Sequence, residues 1–225
     1  DFDGTINQFT YNKYNYKSIR IDGKLSKELF DGRVAVKDTN LTFDLFGKVD
    51  LRDGKNQVDL LGKLARANLK NLNFTKEDIR ISTILDVQLK GSKLEDLVGR
   101  ANFLNFYLTL DKKNLVLDSL QVISQLNEGN RRLAVLSDLV NLNFAGQFNP
   151  SQALKDLKVL VEEYKIYFTG DEATRQAYYA KKPAIIPQIY KIDYQFYLKN
   201  IDPILAFVYP EGHISKKTLI EGNFG

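Results

Sequence analysis

Phe43-Asp44-Leu45-Phe46-Gly47-Lys48-Val49-Asp50-Leu51 alternates with a period of two. Phe43, Leu45, Gly47, Val49 and Leu51 share one side of an extended chain, and Asp44, Phe46, Lys48 and Asp50 share the other. This is the pattern of a β-strand with one apolar and one water-facing side. The glycine in the middle of the apolar side is out of place, because it weakens a strand and packs nothing. Glycine in such a position marks a bend or the close approach of another group.

The pattern returns along the chain. Ile19, Ile21, Gly23 and Leu25 repeat it, as do Val58, Leu60, Gly62 and Leu64, and Leu142, Phe144, Gly146 and Phe148. Thr218, Ile220, Gly222 and Phe224 repeat it with Thr in the first place, and Val87, Leu89 and Gly91 begin it before Lys93 breaks it. Recurrence at irregular spacing predicts many similar strands of one curved sheet. Each strand would bend at its glycine: Gly23, Gly47, Gly62, Gly91, Gly146 and Gly222.

The longest alternation runs from Ile79 to Gly91, with Ile81, Thr83, Leu85, Val87 and Leu89 on the same side. At about 3.3 Å per residue it spans roughly 40 Å, well beyond the usual strand. Long strands with one water-facing side predict an antiparallel sheet. Asn12-Lys13, Asp38-Thr39-Asn40, Asp53-Gly54, 111–114 and 127–130 read as turns between strands. Gly32-Arg33 followed by Leu41-Thr42-Phe43-Asp44 is echoed by Gly99-Arg100 followed by Leu108-Thr109-Leu110-Asp111, which predicts two related hairpin units.

Asn149-Pro150-Ser151 ends the run of strands. Ser151 is placed to cap a helix whose apolar stripe is Ala153, Leu154, Leu157, Leu160, Val161 and Tyr164. Over 151–164 that helix would reach about 20 Å, half of the longest strand. Residues 169–188 read as a loop or a short helix with a crossover. Strand periodicity resumes at Tyr190, a short helix starts at Asp202-Pro203, and Pro210-Glu211-Gly212 turns into the last strand. Three regions result: 1–149, a curved antiparallel sheet; 150–188, helix and crossover; and 189–225, further strands of the same sheet, expected to continue past the end.

Composition limits the chemistry. The 225 residues carry 32 basic and 28 acidic side chains, a net charge of +4, with 44% hydrophobic and 12% aromatic residues. The charges alternate with apolar residues along strands, and no basic stripe with interleaved aromatics indicates nucleic acid. There is no Cys, Met or Trp. The missing initiator Met leads us to expect a piece of a longer or processed protein, with any targeting segment outside it. No run approaches the roughly 18 apolar residues that span a bilayer.

His213 is the only histidine and sits in a turn without a nucleophile nearby, so neither a triad nor a zinc site is expected. Asp1-Phe2-Asp3-Gly4-Thr5 matches the DxDGT nucleophile loop of a phosphatase but lacks the preceding apolar strand and the βα crossover that loop needs. No catalytic residue, metal or cofactor is assigned, and an enzyme is not expected.

Tyr11 to Leu25 (YNKYNYKSIRIDGKL), Asp38 to Leu51 (DTNLTFDLFGKVDL), Ala67 to Phe74 (ANLKNLNF), Arg80 to Gly99 (RISTILDVQLKGSKLEDLVG) and Ser137 to Phe148 (SDLVNLNFAGQF) resemble, in this order, the TamB-type translocation and assembly module proteins of Bacteroidota, within the AsmA-like group. Asn68 departs from the acidic residue of an ADL-type motif. The resemblance implies a mainly β fold, a long curled antiparallel sheet (β-taco or repeating β-groove). It implies a periplasmic protein anchored in the inner membrane outside this segment, carrying phospholipid toward the outer membrane. It also implies an Omp85-type outer-membrane barrel as partner of the full-length chain, and a role in outer-membrane biogenesis.

The residues themselves fit an apolar face with too few helices to cover it, which must fold on itself or bind something apolar. If it binds phospholipid acyl chains, the lining is expected from Ile21, Phe43, Leu45, Leu60, Leu85, Leu89, Leu142 and Phe144. If it closes on itself, the same residues form the core of a β-scaffold or partner-docking segment.

Overall fold

The computed structural model describes residues 1–52, 54–182, 191–208 and 214–224. Ten strands follow one another: β1 (Phe2–Tyr11), β2 (Tyr14–Ser26), β3 (Leu29–Lys37), β4 (Leu41–Asp50), β5 (Gln57–Asn68), β6 (Ile79–Lys90), β7 (Val98–Leu110), β8 (Lys113–Asn127), β9 (Asn130–Ser137) and β10 (Val140–Gln147). Two helices, α1 (Pro150–Thr169) and α2 (Glu172–Lys181), precede β11 (Lys191–Leu198), α3 (Asp202–Val208) and β12 (Thr218–Phe224). The strands make one 12-stranded antiparallel sheet in sequence order, each paired with the next, and β1 and β12 do not meet to close a barrel. The last two strands extend the same sheet from β10.

Tight turns explain the simple order. Asn12 and Lys13 both have positive φ (49° and 62°), as do Glu128 and Gly129 (48° and 80°), the geometry whose twist matches the flanking strands of a two-residue hairpin. The β4–β5 connection differs from the tight Asp53-Gly54 hairpin that the sequence predicts. It spans 51–56 and Asp53 lies outside the described residues.

At its start Asp50, 1% exposed, accepts from Arg52 Nε (2.7 Å) and Arg52 Nη2 (2.6 Å). The Arg52 guanidinium holds the Asp50 carboxyl down to about 2. Because the folded value lies below the unfolded one, about 3.9, this pair stabilises the protein fully above that pH and loses its effect as pH falls toward 2. Urea unfolding of the protein and of Asp50→Asn, from pH 6 to pH 2, is expected to show a stability difference that shrinks over that window. A difference that is constant with pH contradicts it.

Other expectations need correction. The proposed repeat is not structural: Gly32 to Asp44 crosses the β3–β4 hairpin, whereas Gly99 to Leu110 lies within the single strand β7. Helix α1 begins at Pro150, one residue before Ser151, and its cap is Asn149, whose side chain accepts from Gln152 N (3.0 Å). Proline at the first helical position, where an amide has no partner to lose, sets this start. The helix runs to Thr169, so it is about 30 Å long rather than 20 Å. Of the two readings of 169–188, a loop or a short helix, the structure has the short helix, over Glu172–Lys181 and capped by Asp171. Tyr190, the turn at Pro210-Glu211-Gly212 and His213 lie outside the described residues.

The surface is large for the mass. A compact 25.8 kDa monomer exposes roughly 10,500 Å², and this chain exposes 15298 Å². Among the described residues the closest backbone approaches of the helices are α3 to β8 and α1 to α2, and of the apolar stripe expected on α1 the side chains of Leu157, Leu160, Val161 and Tyr164 lie outside the described residues. The apolar side of the sheet is half-buried along most of its length.

Candidate functional site

Antiparallel register decides which side chains share a face, and here it unites the residues singled out by alternation. Ile21 pairs with Val34, Val34 with Leu45, Leu45 with Gly62 and Gly62 with Leu85. One step along the strands, Leu60, Val87, Ala101, Val122, Val135 and Leu142 form a second transverse row. Leu89 and Phe144 belong to a third, through Gly99, Ser124 and Leu133, while Phe43 lies between Val36 and Leu64 in a fourth. All eight expected lining residues therefore lie on one face, and these rows contain no charged side chain. Toward β11 the face turns aromatic, with the Phe144 and Phe196 rings 5.3 Å apart and Tyr194 5.1 Å from Phe196.

Bulges keep the apolar residues on that face over long strands. Opposite Thr83, β7 inserts one extra residue around Asn105 (φ 50°), so that Phe103, Phe106 and Leu108 stay on one side although their spacing is not even. The Thr83 hydroxyl donates to the Leu104 carbonyl (3.1 Å) and fills the irregularity. A strict period of two misreads this stretch.

Two glycines show what the apolar face needs at such positions. Gly47 has φ 145°, and a Cβ added there meets the Asp59 carbonyl oxygen across the strand pair at 1.9 Å. Gly146, φ 138°, meets the Lys191 carbonyl oxygen at 1.8 Å. Gly23 and Gly62 also lie within strands, on β2 and β5. Gly91 does not: it follows the last residue of β6 and belongs to the connection to β7. At Gly222 the ring of the opposing Tyr194 lies over the backbone, its hydroxyl 2.6 Å from an added Cβ, so an aromatic side chain covers the glycine.

The ends of the face are built from polar chemistry. The connection 69–78 reaches back to the β1–β2 turn, where Asn12 Nδ2 donates to Asn73 O (2.6 Å) and Asn73 Nδ2 donates to Asn12 O (3.0 Å). Strands β2 and β5 are three spacings apart, about 14 Å in a flat sheet, so this segment bridges the strand ends between them. It carries Leu72, which is 1% exposed. Beneath it, Asp38 accepts from Tyr14 Oη, Asn40 N (2.8 Å) and Lys17 N (3.2 Å), and Asn40 is in turn tied to Asn71 (2.9 Å). Burial pushes the Asp38 carboxyl up, but the Tyr14 hydroxyl and the backbone amides outweigh it and hold the group below its usual value. At the same end of β8, Lys113 Nζ donates to the Phe207 carbonyl at the end of α3 (2.9 Å).

Comparison with protein families, curated proteins and solved structures finds no match to this chain. Among the described residues no group of three or more His, Cys, Asp or Glu side chains is placed to hold a metal, and no helix is long and apolar enough to cross a membrane. The opposite face is mixed by register: Asp22 stands against Arg33, Lys24 against Asp31 and Lys48 against Asp59, while Phe46 against Leu61 and Ile84 against Leu104 are exposed apolar pairs. Arg33 and Asp44 pair across β3 and β4 there. Sequence reading left Val34, Val87, Val122, Val135 and Phe196 out of the lining, although the same alternation carries them. It also missed Arg131, which lies on the apolar side of β9 and is 3% exposed.

Proposed function

We propose that this chain is a segment of a TamB-type, periplasm-spanning envelope protein whose apolar sheet face curls into a groove for phospholipid acyl chains. In this reading the groove carries lipid between inner and outer membranes. The full-length chain, anchored in the inner membrane, works with an Omp85-type barrel in outer-membrane biogenesis. One observation carries the proposal: uncharged rows cross the sheet on one face, and most of their side chains are half-buried rather than enclosed. Acyl chains would be held without directional bonds, at about 0.8 kcal/mol for each CH₂ removed from water.

Native mass spectrometry with lipid extraction, on the segment purified from membranes in mild detergent, tests this. Stoichiometric phospholipid is expected on the natural sequence and none on Leu45→Asp or Leu89→Asp. Both side chains are half-buried, so each substitution is expected to cost only about 1–2 kcal/mol and to leave the sheet folded. A lipid-free, folded segment, with variants that unfold, would mean that the face closes on itself as a scaffold core.

A further inference from the structure

The apolar rows contain no charge, yet one cation stands in line with them. Arg131 alternates with Leu133 and Val135 on β9, so it shares their side of the sheet one step beyond Leu133. Its Nη1 donates to Ser124 Oγ (2.7 Å) and Leu97 O (2.9 Å), and its Nη2 donates to Glu95 O. All three acceptors are neutral. Arg131 Nε is buried with no partner.

A guanidinium removed from water is costly unless an anion or a full set of acceptors offsets the loss. A loop could be tied down to its carbonyls by a neutral amide side chain at lower cost, so latching 95–97 does not account for the charge. An orphaned buried donor calls for a partner, and the planar guanidinium matches the oxygens of a phosphate. The surroundings fit a phosphate that carries a tail. From Arg131 to Ser137 the strand runs roughly 20 Å past Leu133 and Val135, against about 15 Å for one leaflet of a bilayer core. Phe144, beside Leu133 on β10, widens the strip.

We propose that Arg131 anchors an anion site at the end of the apolar face, taking the phosphate group of a phospholipid whose acyl chains lie along Leu133 and Phe144. The site rests on the groove reading above. To open it, the phosphate oxygens replace the carbonyls of Glu95 and Leu97, and the 91–97 connection lifts. Its other ties are Ser124 Oγ, which donates to Leu97 O (2.7 Å), Gly91 N, which donates to Asn56 O (2.9 Å), and the Glu95 carboxylate, which bonds Ser151 at the start of α1.

Calorimetry with dihexanoylphosphatidylglycerol, dihexanoylglycerol and inorganic phosphate separates the possibilities, using the natural sequence, Arg131→Gln and Arg131→Lys. The phospholipid is expected to bind the natural sequence about tenfold more tightly than the uncharged lipid. That preference should vanish in Arg131→Gln with the uncharged lipid's affinity unchanged, and be partly kept in Arg131→Lys. Hydrogen exchange of the natural protein gives a second readout that needs no variant to fold: the phospholipid should speed exchange of amides 92–97, and the uncharged lipid should not. Equal binding of the two lipids, a preference that survives Arg131→Gln, or unchanged exchange overturns the Arg131 site and leaves the groove standing. Binding of inorganic phosphate with neither lipid bound overturns the groove and reassigns Arg131 to free phosphate.

Discussion

Replacing Gly47 by alanine is expected to destabilise the sheet by about 3 kcal/mol or more, whereas the same change at Gly129 is expected to cost about 1 kcal/mol. Both glycines have positive φ, 145° and 80°. Their surroundings separate them. Around Gly129, in the β8–β9 turn, an added Cβ meets nothing within 4 Å, so only backbone strain is felt. At Gly47 the added atom would sit 1.9 Å from the Asp59 carbonyl oxygen, and that oxygen belongs to the ladder between β4 and β5. A flexible side chain could swing away; a carbonyl in a ladder moves only if the strands part. Equilibrium urea unfolding of both variants measures the difference. Similar small losses at the two positions would mean that the strands approach each other less closely than described.

Asp38→Ala is expected to cost roughly 3 kcal/mol, since it strips acceptors from the Tyr14 hydroxyl and from two backbone amides in a buried setting. Asp38→Asn keeps the shape and one acceptor oxygen and should lose less. The loss has a place as well as a size. Hydrogen exchange should rise over 69–78, because that segment is held through Asn40 and Asn71 as well as through the paired Asn12 and Asn73 amides. A uniform rise over the whole sheet, with no excess at 69–78, contradicts a role for Asp38 at the end of the face.

Much of the sheet could be read directly from alternation, because a half-buried strand writes its two faces into every second residue. Phe43 to Leu51 and Ile79 to Gly91 gave strand, face and direction together. Other features depend on partners far away in sequence. Gly32 and Gly99 oppose Gly23 and Leu89, yet nothing in their own neighbourhoods distinguishes them from turn glycines. Thr83 and Asn105 meet only once β6 and β7 pair, so the bulge that re-aims Phe106 was not legible. Helix α1 extends past Tyr164 because Gly170, whose amide bonds the Ile166 carbonyl (2.8 Å), sets its end, a cap that apolar periodicity does not reveal.

Arg131 marks another limit. In Asn130-Arg131-Arg132-Leu133-Ala134-Val135 either arginine could take the apolar side, since Arg132 alternates with Ala134 and Leu136 just as Arg131 does with Leu133 and Val135. Only the register with β8 and β10 assigns Arg131 to that side. A charge on an apolar face is thus invisible where two arginines are adjacent.

Neighbouring residues on one strand offer the most direct test of an open, lipid-bearing face. Leu45 points to the apolar side and Phe46, 62% exposed, points to the opposite side. A photo-crosslinking phenylalanine analogue at each position, irradiated in membranes of the producing cell, should attach phospholipid at position 45 and not at position 46. Attachment at neither position in a folded protein, or equally at both, would contradict the groove.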